Sequence, residues 1–282
     1  MIRKLYISLL LLVSGISLLS AQEVQPLQNQ TQGVDSVAVI SPQQQGVAKR
    51  FPTFGLWRTS YVATGFQTNK RISVNTADVK FQFSIALHLW RIRNKADILF
   101  TYTQHSVWDI YRPSCPFRET AYNPGIWAAW QVSRKVELLF GIEHESNGMG
   151  GLESRSFNYA TVACLYEPSP YWRLGARLWY GYYDIDNIER YFRYRGVGHL
   201  WATVHTPNNR FQFTVLVNPS NWFKNYNLHI ETSWRLSKRK GVVPSLYAQY
   251  SCGYGDTMLD YNRYHTSLRI GIALKNDNIS LY

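Results

Sequence analysis

Apolar and polar residues alternate one by one along most of this chain. Val79, Phe81, Phe83, Ile85, Leu87 and Leu89 take turns with Lys80, Gln82, Ser84, Ala86 and His88. Trp172, Leu174, Ala176, Leu178 and Tyr180 alternate with Arg173, Gly175, Arg177 and Trp179, and Tyr264, Thr266, Leu268, Ile270, Ile272 and Leu274 with His265, Ser267, Arg269, Gly271 and Ala273. A period of two places each set on one face of a strand. Such runs are predicted near 52–65, 77–90, 96–106, 122–131, 135–146, 155–166, 171–182, 192–204, 210–217, 224–236, 243–252 and 264–274. Each approaches the roughly 9–11 residues that a tilted transmembrane strand needs.

The connections alternate as well. Short turns fall at 91–95, 132–134, 167–170, 205–209 and 237–241, and long loops at 66–76, 107–121, 147–154, 183–191, 218–223 and 253–263. Short turns on the periplasmic side and long loops outside mark outer-membrane barrels. The expected fold is therefore all-β, a transmembrane antiparallel β-barrel of about 12 strands with both ends periplasmic. The terminal Tyr282 is aromatic, as is usual for that class. A soluble sandwich or lipocalin-like barrel would alternate too. Aromatic residues at strand ends, the loop alternation and a strand count above eight argue against it.

The first residues bear on the compartment. Arg3 and Lys4 precede an apolar run from Leu5 to Leu19, and Ser20-Ala21 offers a small-residue cleavage site. The run is short for a spanning helix, so residues 1–21 are predicted to be a signal peptide. Residues 22–50, rich in Gln, Ser, Val and Pro, read as a flexible lead-in, and 51–282 as the barrel domain. An aromatic content of 15% beside an ordinary hydrophobic fraction of 45% suits a polar inside, an apolar outside and aromatic interfaces. The formal charge of +12 falls to +10 once Arg3 and Lys4 leave with the signal. A basic surface can meet anionic lipid or nucleic acid. Here it is assigned to arginines lining the barrel and its rims, with no nucleic-acid partner. Cys115, Cys164 and Cys252 are odd in number and widely spaced, which makes neither a disulfide framework nor a metal cluster.

The main chemical clue lies in 137–146. One face carries Leu138, Phe140, Ile142, His144 and Ser146, the other Glu137, Leu139, Gly141, Glu143 and Glu145. The first face is apolar and must look at lipid, yet it ends in a histidine and a serine beside the loop 147–154. Polar groups facing hydrocarbon are costly, so an ionisable residue there is a functional hypothesis by default. A period of two stands His144 and Ser146 side by side, and an imidazole nitrogen can take the serine proton. A hairpin through 147–154 brings Asn158 near the height of His144. Its carbonyl can accept the second imidazole N–H and fix the tautomer without placing an anion beside hydrocarbon.

The stretch His144-Glu145-Ser146-Asn147-Gly148, followed by Ser154-Arg155-Ser156 and Asn158, resembles the outer-membrane phospholipase A family. So do Tyr102-Thr103-Gln104, Pro116-Phe117-Arg118-Glu119-Thr120, and Tyr250-Ser251-Cys252-Gly253-Tyr254-Gly255 leading to Asp260-Tyr261-Asn262. The resemblance implies a twelve-stranded barrel in the outer membrane of a Gram-negative bacterium, with its site at the extracellular side. It further implies calcium-dependent phospholipase A1 and A2 activity and activation by homodimerisation. Ser146 would be the nucleophile, His144 the general base, Asn158 the orienting residue and the Gly148 amide an oxyanion donor. Ca2+ would be held by Ser154 and the Met149 carbonyl of one chain and by Ser114 of the other. The chain departs from the family pattern at Met149, where a basic residue is usual, and in the loop before Ser114, which contains Pro113. Asp184 and Asp186 are candidates for a second calcium site, with solvated loop acids the alternative. Two other functions stay open at this point. One is a barrel-type lipid A deacylase, expected to have about eight strands and an acidic third member. The other is a porin or adhesin, in which His144 and Ser146 would be accidental.

Overall fold

A computed structural model describes residues 51–92, 95–182, 188–237 and 241–275. The predicted signal peptide and lead-in, Tyr282, Asp184 and Asp186 lie outside the described residues. The chain forms β1 (Phe54–Gly55), β2 (Ser60–Gln67), β3 (Ala77–Ile92), β4 (Ala96–Trp108), β5 (Phe117–Gln131), β6 (Val136–Ser146) and β7 (Ser156–Ser169). It continues with β8 (Trp172–Tyr182), α1 (Ile188–Arg195), β9 (Gly198–His205), β10 (Phe211–Ser220), β11 (Asn225–Arg235), β12 (Val243–Gly253) and β13 (His265–Lys275). Each strand from β2 to β13 pairs antiparallel with its sequence neighbours, and β13 pairs with β2, which closes a twelve-stranded barrel. The short β1 pairs with Ala86 and Leu87 of β3, beyond the reach of β2. The first predicted run, 52–65, is thus one stave in two pieces.

The alternation sets the faces as expected. Phe83, Ile126, Ile142, Ile270 and Ile272 lie exposed on the outside, while Lys80, Ser84, Thr101, Arg177, Ser267 and Arg269 are buried within. Exposed Trp90, Trp130, Trp172 and Trp234 ring the end with short turns, and Tyr180, Tyr226 and Tyr264 ring the other. Aromatic girdles of this kind sit at the two membrane interfaces. A bulge between His88 and Trp90 interrupts the β3 alternation, so that Leu89 and Trp90 are both exposed.

The lumen is packed. In its periplasmic half Trp57, Leu99, Trp127, Leu139, Leu165 and Trp201 form a buried apolar core. Two glycines make room for the indoles. Gly141 stands opposite Trp127 and Gly175 opposite Trp201, and a Cβ at these glycines would fall 2.4 Å and 2.1 Å from the facing rings. Above the core lies a polar chamber of about 170 Å³ whose lining includes Arg58, Lys80, His105, Glu145, Arg177 and Asp256. Two buried carboxylates at this level are paired, Glu143 with Arg177 and with Arg58 at 3.5 Å, and Asp256 with Lys80 at 2.6 Å. A buried charge needs such a partner.

An aromatic cap closes the extracellular end. Tyr191 of α1 stacks on Phe157 at 4.2 Å and meets Tyr261 at 5.3 Å. The loop 254–264 is held down by Glu119, whose carboxylate accepts the Met258 and Leu259 amides at 2.7 and 2.6 Å. The helix corrects the sequence reading, which began a strand at residue 192. The chain turns inward because Tyr191, Phe192 and Tyr194 bury against this cluster. Gly196 then ends the helix with a φ of +75° and an amide bonded to the Phe192 carbonyl. A second correction concerns 218–223. There β10 and β11 run on to Ser220 and Asn225, so the long loop expected is a four-residue turn. Asn221, Trp222 and Phe223 close it with φ of 47°, 56° and 65°.

Candidate active site on the barrel wall

Strands β6 and β7 pair in register from Val136↔Tyr166 to Ser146↔Ser156, which sets His144 directly opposite Asn158. Both side chains share the outer face with Phe140 and Ile142, which are 45% and 61% exposed. His144 Nδ1 lies 2.9 Å from Asn158 Oδ1. The amide oxygen can only accept, so Nδ1 carries the proton and Nε2 is left as the basic nitrogen. Ser146 follows two residues on, at the same face and half-buried. The structure therefore brings His144, Ser146 and Asn158 together at the extracellular end of one hairpin, facing lipid. Among the described residues no hydrogen bond joins the imidazole to the Ser146 hydroxyl.

The loop between β6 and β7 is built around Asn147, a residue that sequence reasoning quoted only as part of a motif. Its side chain is buried. Oδ1 accepts the Met149 amide at 3.2 Å and the Arg155 amide at 3.0 Å, and Nδ2 donates to the Glu153 carbonyl at 2.8 Å. An Asx residue followed by Gly is the usual signal of such a turn. Gly148 takes a φ of +64°, and a Cβ there would come within 3.0 Å of Tyr122, so the position favours glycine on both grounds. Among the described residues no loop hydrogen bond engages the Gly148 N–H.

The residues proposed for metal are divided. Met149 and Ser154 both belong to the β6–β7 loop, with Ser154 exposed. Ser114 lies in the neighbouring loop between β4 and β5, also exposed, with a φ of 62°. That loop is tied by Trp108 Nε1 to the Cys115 carbonyl at 2.9 Å and by Arg118 to Asp109.

Fold and site together define a class, an integral outer-membrane barrel that displays imidazole and hydroxyl chemistry toward lipid. The chain belongs to the phospholipase A1 family, whose profile matches residues 55–274. It is 30% identical to the phospholipase A1 of Salmonella typhimurium over 71% of this chain and 70% of that one. To the phospholipase A1 of Escherichia coli K12 it is likewise 30% identical over 71% and 70%. Among solved structures, outer membrane phospholipase A of Escherichia coli superposes with a TM-score of 0.71 at 23% identity, over 80% of this chain and all of that one. The Salmonella typhi outer membrane phospholipase, solved as a dimer with bound calcium, gives 0.71 at 22% identity, over 84% and 99%. The protein is thus a phospholipid ester hydrolase of the outer membrane. Twelve strands exclude the smaller lipid A deacylase architecture, and family membership sets aside the porin and adhesin alternatives.

Proposed function

We propose that Ser146, His144 and Asn158 carry out the hydrolysis as nucleophile, general base and orienting residue. The observation that carries this reading is the 2.9 Å bond between His144 Nδ1 and Asn158 Oδ1 on the lipid-facing wall, with a serine two residues away. The orientation leaves Nε2 free to take the Ser146 proton as the hydroxyl attacks the ester carbonyl. The Gly148 N–H, unclaimed by its own loop, is the donor for charge developing on the carbonyl oxygen. His144 then returns the proton to the departing lysophospholipid, and the acyl-serine is hydrolysed by water that the same imidazole activates. Asn158 serves in place of the aspartate of commoner triads because it orients the ring without an ionised group beside hydrocarbon.

Calcium dependence and dimerisation belong to the same proposal. The Ser154 hydroxyl, the Met149 carbonyl and the Ser114 hydroxyl are hard oxygen donors of the kind calcium takes. One chain offers too few of them for the six to eight that the ion prefers, which fits a site completed by a second chain, water and substrate. When bound, the ion supplies positive charge beside the oxyanion. Substrate arrives laterally in the outer leaflet, because the site opens on the wall and not into the packed lumen. Fatty-acid release from mixed phospholipid micelles, with calcium and then with chelator, tests the reading. Loss of turnover in Ser146→Ala and in chelator is expected. Full activity of Ser146→Ala would overturn the triad, and full activity of a monomer in excess chelator would overturn the shared metal site.

A further inference from the structure

Strand β5 carries a proline in its middle, where a sheet ladder needs an N–H. Pairing of β5 with β6 runs from Gln131↔Glu137 to Gly125↔Glu143, lapses, and resumes at Tyr122↔Ser146. The two lapsed positions set Asn123 opposite Glu145 and Pro124 opposite His144. They are the two whose antiparallel bonds would use an N–H at residue 124. On its other side β5 keeps its register with β4, through Thr103↔Asn123 and Tyr102↔Pro124. The defect therefore faces β6 alone, and the carbonyl that loses its ladder donor is that of His144.

A side chain fills the gap. Asn123 Nδ2 donates to the His144 carbonyl at 2.9 Å and, with its second hydrogen, to Tyr159 Oη at 3.1 Å. A carbonyl only accepts, so the amide nitrogen must be the end that points to it. Tyr159 donates onward to Glu145 Oε2 at 3.0 Å, and the other oxygen of Glu145 lies 3.6 Å from Arg195 in the aromatic cap. Asn123 and Tyr159 are 8% and 6% exposed, so little water competes for these bonds. The chain of donors runs through the barrel wall, from the lumen to the backbone of the residue whose ring faces lipid.

We propose that Asn123 is a positioning residue for hydrolysis. Its amide replaces the N–H that Pro124 lacks and fixes the His144 backbone, while Tyr159 and Glu145 hold the amide in place. This inference rests on the proposed triad, since it acts through His144. A ladder bond missing at His144 would leave β6 free to shift just where the imidazole must meet the Ser146 hydroxyl. Displacements of about 1 Å between reacting groups cost on the order of a hundredfold in rate.

The test uses the full-length protein in mixed micelles and reads kcat and KM separately. Asn123→Asp is nearly isosteric but offers only acceptors to the carbonyl. It should lower kcat by about ten- to a hundredfold with KM nearly unchanged, and should slow modification of Ser146 by a sulfonyl fluoride in parallel. Tyr159→Phe, which removes only the anchor of the amide, should lower kcat severalfold. Adding Pro124→Ala to Asn123→Ala restores a backbone N–H opposite His144 and should recover most of the lost turnover. A merely structural role for Asn123 would show no such rescue. The inference is overturned if Asn123→Asp and Tyr159→Phe both keep wild-type kcat, or if the loss in Asn123→Ala is the same with and without Pro124→Ala. Ser146→Ala is measured beside them. If it stays active, the triad and this inference fall together. If it is inactive while Asn123→Asp is fully active, only this inference falls.

Discussion

In the proposed triad, replacing Asn158 with Ala removes one hydrogen bond and leaves the proposed nucleophile Ser146 and base His144 in place. That bond spans 2.9 Å, and between two neutral groups, as the proposed general-base role requires before attack, it is worth about 0.5–1.5 kcal/mol net. As Ser146 attacks, His144 becomes an imidazolium and the bond becomes charge-assisted, worth about 1.5–3 kcal/mol. Only what is gained in the transition state appears in kcat. At about 1.36 kcal/mol per tenfold, loss of the increment of about 1–1.5 kcal/mol between the two bonds lowers kcat by about five- to thirteenfold. Ser146→Ala, which removes the proposed nucleophile, should cost about 10⁴-fold or more. KM should hardly move, because Asn158 bonds to the imidazole and not to the lipid. The assay is fatty-acid release at saturating phospholipid, with heat-modifiable gel mobility as the check on folding. A kcat for Asn158→Ala within twofold of wild type would refute the orienting role. A loss as deep as that of Ser146→Ala would mean that the asparagine does more than orient.

The Asn147 amide makes three bonds inside the β6–β7 loop, so Asn147→Ala should loosen 147–155 while the barrel stays folded. Turnover falls and limited proteolysis cuts this loop faster than in wild type; an unchanged cleavage rate would count against the role. A side chain at Gly141 would strike the Trp127 ring at 2.4 Å, and overpacking of this kind costs about 1–3 kcal/mol. Gly141→Val should therefore lower the urea midpoint of unfolding in detergent. Burial alone would raise the pKa of Asp256 in the capping loop, but Lys80, His265 and Arg269 outweigh it and hold the carboxyl well below the usual range. A depressed native pKa means that its stabilisation is complete above the unfolded value of about 4 and lost only as pH falls through the native one. Melting temperature should show no pH dependence from this group between pH 8 and 5 and a drop in stronger acid, and Asp256→Asn should abolish that drop along with the stability it represents.

The barrel and the face that carries His144 and Ser146 were legible in the sequence because lipid imposes a period of two on every strand. Phe140, Ile142, His144 and Ser146 had to share one side, and a polar pair at the end of an apolar row stands out without any structure. The height of Asn158 followed from the hairpin that closes through 147–154. Other features depended on the lumen, which leaves no such periodic mark. Tyr191, Phe192 and Tyr194 read as the start of a strand, and only packing against Phe157 and Tyr261 makes them a helix turned inward. Trp127 and Trp201 are inward residues of a residue type that also builds membrane girdles, and the facing Gly141 and Gly175 decide their place. Pro124 is visible in the sequence as a break in a strand. Which carbonyl it orphans depends on register with β6, and that Asn123 answers it depends on a side chain reaching across to the next strand. Local periodicity fixes faces because each residue feels the same lipid, whereas a hydrogen bond between residues far apart in the chain exists only once the closed sheet has set their heights.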